Sequence, residues 1–260
     1  MKVVIIGSGN VAAVLGAKIR LAGHSLVQLV ARRAEPAALL ARELGCNYTT
    51  QWSGIDRTAE LYLLAVSDHA LNDLNKVLSL PGRLVLHTAG AVSASVLQAV
   101  SARSGVLYPL QSLKAAIRPY PEIPLLIDAI QPDDLPVIET FARTLSQTVK
   151  RADDDLRLKL HLSATLVNNF TNYLYILASQ FCLREAVDFS LLLPLILETA
   201  ARLNRYPPEE MQTGPAVRGD RPTIQKHLEL LSNYENIKEL YELFTIKIEE
   251  HYRPKEISAS

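Results

Sequence analysis

Only two of the 260 residues are cysteine, Cys46 and Cys182, and they stand far apart with no CxxC spacing. Their scarcity argues against a disulfide framework and a zinc site, and for a reducing compartment. Net charge is absent as well, since 27 Lys and Arg balance 27 Asp and Glu. Without a sustained basic patch, nothing gathers nucleic acid or an anionic membrane. Long apolar runs are also missing. The strongest, LLLPLIL at 191–197, holds a proline and falls far short of the ~18 residues of a membrane helix. The apolar run in MKVVIIGSGN is short and ends in glycines rather than at a small-residue cleavage site, so it does not read as a signal peptide. These absences lead to the expectation of a soluble, cytoplasmic protein with no metal, nucleic acid or membrane as partner. No internal repeat or low-complexity segment is visible.

What the chain does have is alternation. Apolar runs at Val3–Ile6, Leu26–Ala31, Leu61–Val66, Leu84–His87, Gly105–Tyr108 and Leu125–Ile127 read as strands. Helical patterns at 11–22, 36–44, 69–79, 93–103 and 133–146 separate most of them. Strands alternating with helices imply right-handed crossovers and an α/β class fold, a doubly wound, mostly parallel sheet of the Rossmann type. From Asp153 the rhythm changes, with Leu156, Leu160, Ala164, Val167, Phe170, Leu174, Leu177 and Phe181 recurring at threes and fours. Further helices are expected at 186–204 and 221–250, and a frayed tail in RPKEISAS. The expected division is therefore residues 1–152 as a nucleotide-binding domain and 153–260 as an all-helical domain. A buried helix this long needs a second surface to cover it, so the helical domain is expected to form a homodimer.

GSGNVA at 7–12 follows the first strand and opens a helix. Gly7 permits a tight turn and Gly9 lets the backbone approach a diphosphate, with Ser8, Asn10 and Val11 around it and Ala12 at the close-packing position. About twenty residues on, an NAD site would carry Asp or Glu. Here the second strand ends in Arg32-Arg33, with no carboxylate before Glu35. Two guanidinium groups can neutralise a 2′-phosphate, so the pair points to NADP; the alternative is a solvated pair at a helix start. AVSDHA at 65–70 and HTAGA at 87–91 end later strands, which makes Val66, Ser67, Asp68 and His87 candidates to line the cofactor. Asp68 serves equally as a helix cap, Ser93 or Ser95 can do the same, and His87 is more commonly a structural histidine at a strand end.

GSGNVA, GHSLVQLVARR, AVSD, HTAG and YPLQS together resemble the N-terminal half of the 6-phosphogluconate and β-hydroxyacid dehydrogenase superfamily. With HLSATLVNNFTNYLY at 161–175, PLILETA at 194–200 and QTGPAVRGD at 212–220, nearly the whole chain resembles a bacterial family of NADP oxidoreductases whose C-terminal domain is of unknown function (domain of unknown function 2520). The resemblance implies the fold, NADP binding and dimerisation, and no substrate. In the β-hydroxyacid dehydrogenases, the interdomain helix carries a proton-donating lysine ahead of an Asn-Asn pair. Here Thr165 stands in the lysine's place before Asn168 and Asn169.

A threonine hydroxyl hydrogen-bonds a carbonyl but protonates it poorly. His161, one helical turn earlier and on one α-helical face with Thr165, Asn168 and Asn172, is a candidate acid; the alternative is a structural histidine. Tyr108 and Gln111 are expected near the nicotinamide end, with Lys114 if the 110–123 loop folds over as a lid. In QTGPAVRGD, Arg218 suits a clamp on a substrate carboxylate or phosphate, or else pairs with Asp220 or Glu198 and pins its loop. The expected catalytic set is therefore His161, Thr165, Asn169 and Arg218. The expected activity is NADP-dependent oxidoreduction of a small polar carbonyl or hydroxyl substrate in an interdomain cleft. A non-catalytic NADP-binding sensor and a deazaflavin reductase stand as alternatives.

Overall fold

The computed structural model describes residues 1–253; the tail expected to fray lies, beyond Arg253, outside the described residues. Eight strands form one sheet: β1 (Lys2–Ile6), β2 (Ser25–Val30), β3 (Asn47–Thr49), β4 (Leu61–Leu64), β5 (Leu84–His87), β6 (Ser104–Pro109), β7 (Leu125–Ala129) and β8 (Val149–Arg151). Their order is β3-β2-β1-β4-β5-β6-β7-β8. Every pair is parallel except β6 and β7. The chain winds outward from β1 to β3, then returns to β4 on the other side. That reversal opens a crevice at the carboxyl ends of β1 and β4, where such sheets bind their ligands.

The KVVII run of β1 is continuous because both of its faces are covered. Val3 and Ile5 pack with α1 (Asn10–Leu21), α2 (Ala34–Leu44) and, through Phe141 and Leu145, the later helix Leu135–Leu145. Val4 and Ile6 pack on the opposite face with Leu71 and Leu74 of α3 (Asp68–Leu74). Burial of such side chains is worth roughly 1.5–3 kcal/mol apiece. α2 ends where Gly45 adopts a left-handed φ of 61°, which no β-carbon opposes. Leu135–Leu145 is α4. The short strands β3 and β8 carry no long apolar run and escaped the sequence reading. The helix expected over 93–103 is a single 3-10 turn, Ala94–Leu97, capped by Ser93.

Two compact units form, Met1–Thr171 and the part from Asn172 onward. The boundary expected at 152/153 thus falls later, because α5 (Asp154–Ala164) is tied to the sheet unit. Asp153 caps it by accepting from Leu156 N at 2.9 Å, and Asp154 Oδ1 accepts from Ala94 N at 2.9 Å. A π-helical turn, Thr165–Phe170, comes next.

The second unit is helical: α6 (Thr171–Arg184), α7 (Leu193–Arg202), two single turns α8 (Pro208–Met211) and α9 (Pro215–Arg218), then α10 (Arg221–Leu230) and α11 (Glu235–Tyr252). The expected 221–250 helix is broken at the 3-10 turn Leu231–Asn233. Among the described residues of this unit only Leu177, Cys182, Ile224, Leu231 and Thr245 are buried. Leu195 and Leu197 of α7 are 62% and 71% exposed. Among the described residues, no helix is long and apolar enough to cross a membrane.

Candidate active site

A cavity of about 1090 Å³ opens at the carboxyl ends of β1 and β4. It brings together Gly7, Ser8, Gly9, Asn10 and Val11 from the first turn, Arg32 and Arg33 after β2, and Val66 and Ser67 after β4. The structure adds Trp52, Val77 and Leu113, none of which the sequence singled out. Trp52 sits on a 3-10 turn that Gln28 braces, donating to Gly54 O and accepting from Asp56 N, both at 2.8 Å. A lone tryptophan between two strand signals was the available clue. Ser67 occupies the N-cap position of α3 without a side-chain cap bond, and Asp68 is the first helical residue.

The two loop glycines are needed for different reasons. Gly7 has φ +130°, and a β-carbon there would come within 2.1 Å of Ala65 O, so the fold itself demands glycine. Gly9 has φ −88° and ψ −172°, which any residue adopts, and a β-carbon there would meet nothing within 4 Å. Neither backbone nor packing explains Gly9. Close approach of a ligand does. The first turn of α1 contains no acidic residue and its cap has no side-chain bond, so the N–H groups of this turn are available to an anion. Arg32 and Arg33 are exposed and make no ion pair among the described residues. The residues present therefore fit a phosphorylated dinucleotide. No group of His, Cys, Asp and Glu among the described residues could hold a metal ion.

At the carboxyl end of β6, the Tyr108 hydroxyl lies 3.0 Å from Nδ1 of His161 on α5, with the rings at 70°. Gly90 makes this approach possible. A β-carbon there would lie 2.6 Å from His161 Nδ1 and 2.9 Å from Tyr108 Cζ. Burial, then the charge of Asp68, pushes the Tyr108 hydroxyl above its ordinary pKa, with Arg157 opposing, so the phenol stays protonated at neutral pH.

The Thr165 hydroxyl donates to His161 O at 3.0 Å, a bond within its own helix. The π turn Thr165–Phe170 departs from the α-helical periodicity on which the one-face grouping of His161 with Asn168 was expected. Asn168 and Asn169 are exposed, not buried, and lie against each other at 3.4 Å.

His87 is a correction. It is fully buried and does not line the cavity. Its Nδ1 accepts from Ala89 N at 3.2 Å, which places the ring proton on Nε2. Burial, followed by the nearby Arg157 cation, lowers its pKa to about 4. Arg157 is itself 1% exposed, bound to Asp154 Oδ1 at 2.7 Å and to Val92 O at 2.5 Å. This buried guanidinium, invisible to the sequence reading, holds the 88–94 loop and so positions Gly90 beneath the Tyr108–His161 pair.

Arg218 belongs to the second unit, 63% exposed and 4.0 Å from Asp220, whose carboxylate also caps α10 through Thr223 N at 3.1 Å. Glu198 is exposed and pairs with Arg202 at 2.9 Å, not with Arg218. His227 Nδ1 meets the Tyr241 hydroxyl at 2.8 Å.

A profile described as a Rossmann-like domain matches residues 1–111, and one described as a domain of unknown function (2520) matches residues 123–248. No curated protein matches the chain. Among solved structures, a Bacteroides fragilis protein provisionally named an NADP oxidoreductase is 34% identical, over 96% of this chain and 98% of that one, with a TM-score of 0.88. A Myxococcus stipitatus imine reductase in complex with NADP+ is 14% identical, over 96% and 93% of the two chains, with a TM-score of 0.64. An Aspergillus terreus reductive aminase in complex with NADPH and ethyl-5-oxohexanoate is 16% identical, over 95% and 94%, with a TM-score of 0.68. The last two share the fold alone.

Proposed function

Since the chain belongs to the family that joins a Rossmann-like domain to the domain of unknown function 2520, we propose that it is an NADP(H)-dependent oxidoreductase interconverting a small polar carbonyl compound and its alcohol. The observation that carries the cofactor is Gly9, a glycine required by neither its backbone angles nor its neighbours. The Gly7–Asn10 turn and the opening N–H groups of α1 hold the diphosphate. Arg32 and Arg33 hold the 2′-phosphate, and Trp52 offers a flat apolar wall for the adenine. NADPH, when bound, supplies a hydride to the carbonyl carbon.

The chain must then supply one proton to the oxygen. Tyr108 Oη–H is the donor, and His161, already within hydrogen-bonding distance, returns a proton to the phenolate. In the reverse direction the same pair accepts the hydroxyl proton. Thr165 is relieved of that role and acts by fixing the helical carbonyl of His161.

Titration of NADPH and NADH into the protein and into Arg32→Glu tests the cofactor assignment. The substitution removes a charge-assisted contact worth about 1.5–3 kcal/mol, so NADPH affinity falls about 10- to 100-fold and NADH affinity holds. Unchanged NADPH affinity removes Arg32 from the site.

The second unit acts as a dimerisation surface in this reading. So few buried side chains cannot offset the conformational entropy of ordering its chain, and the exposed leucines of α7 supply the missing apolar area once a second copy covers them. Sedimentation equilibrium is expected to give twice the 28.7 kDa chain mass; a 28.7 kDa particle would count against it.

A further inference from the structure

We infer that Lys114 is a cofactor-positioning residue, carried over the glycine turn by the segment that joins β6 to β7 and placed to neutralise the diphosphate. This rests on the NADP(H) reading above. Residues 110–124 form a strap closed at its base by Leu110 N donating to Pro124 O at 2.9 Å. Its far end is fixed to α2, where Arg118 pairs with Glu43 and stacks over the Tyr120 ring at 5.3 Å. Tyr120 in turn donates to Ala115 O at 3.2 Å.

Between these anchors the strap crosses the glycine turn itself. Ala115 N donates to Asn10 Oδ1 at 3.0 Å, and Leu113 both packs on the core and lines the cavity. Lys114 lies between those two fixed residues, is exposed, and makes no ion pair among the described residues. A flexible ammonium on the surface, one residue from Ala115, which bonds Asn10 of the turn, and one from Leu113, which lines the cavity, is suited to a point charge on a diphosphate. The neutral N–H groups of the turn bind that anion without cancelling its charge. Lys114 cancels part of it.

The diphosphate is common to both dinucleotides, whereas the 2′-phosphate is not, so Lys114 and Arg32 must leave different signatures. Calorimetric titration of NADPH and NADH into the wild-type chain, Lys114→Gln and Lys114→Arg is run at two salt concentrations. Lys114→Gln is expected to weaken both ligands by the same factor, about five- to tenfold, and to flatten the salt dependence of binding; Lys114→Arg restores most of the affinity. The inference is overturned if the wild-type chain binds NADPH and Lys114→Gln binds it equally well with the same salt dependence. It is also overturned if only NADPH is weakened. A wild-type chain that binds neither dinucleotide overturns the cofactor assignment with it.

Discussion

Replacing Tyr108 by phenylalanine is expected to slow NADPH-dependent carbonyl reduction by about 10²- to 10⁴-fold while leaving NADPH affinity unchanged. The ring remains to pack against Gly90, and the hydroxyl that lies 3.0 Å from His161 is lost. The large factor comes from the rest of the site. Thr165 spends its proton on the His161 carbonyl, and Asn168 and Asn169 carry amide protons of no useful acidity. In Tyr108→Phe, His161 loses the hydroxyl through which it passes its proton, so the developing alkoxide is left without its donor. His161→Gln is expected to cost less, because Tyr108 still donates once and only its recharging is slowed. Initial rates at saturating NADPH distinguish the two, and a full rate in Tyr108→Phe would move the proton source elsewhere.

His87 gives the second large effect, on stability. Its pKa of about 4 in the folded chain lies below the ordinary 6.5, so the unfolded chain takes up a proton that the folded chain refuses. The stabilisation is complete above about pH 6.5 and is lost as the pH falls toward 4, by on the order of 3 kcal/mol. A fully buried ring beside the Arg157 cation is a poor host for a second charge. Urea unfolding at pH 7 and pH 4.5 is the measurement. His87→Asn, which keeps an acceptor for Ala89 N, is expected to show a much smaller acid loss than the wild-type chain. Equal losses would place the acid sensitivity in other groups.

The strand–helix alternation and the nucleotide turn were legible because their signals are local. A strand, two glycines and a helix start within a few residues of one another, and Arg32-Arg33 stand at the end of the next strand. The Tyr108–His161 pair was legible only in halves. Tyr108 and His161 are 53 residues apart, and nothing in either neighbourhood announces the other. The strap had the same problem at greater distance, since Ala115 meets Asn10 across 105 residues.

The 154–184 helix misled in two ways. An apolar stripe reveals that a face will be covered, not by what, so residues read as buried are exposed in the single chain. The π turn at Thr165–Phe170 changes which side chains share a face, and no residue type there signals it. His87 shows how a strand-end position is ambiguous. The last strand residue either opens onto the crevice or turns into the layer beneath, and the buried Arg157 that settles it for this chain comes from a helix 70 residues later.

NADPH carrying deuterium at the transferable position, incubated with the protein and a panel of small ketoacids, aldehydes and imines, tests the oxidoreductase assignment at its chemistry. Deuterium is expected to appear on the former carbonyl carbon of at least one compound, with NADPH consumed in equal amount and the transfer abolished in Tyr108→Phe. Tight NADPH binding with no deuterium moved to any member of the panel would contradict it.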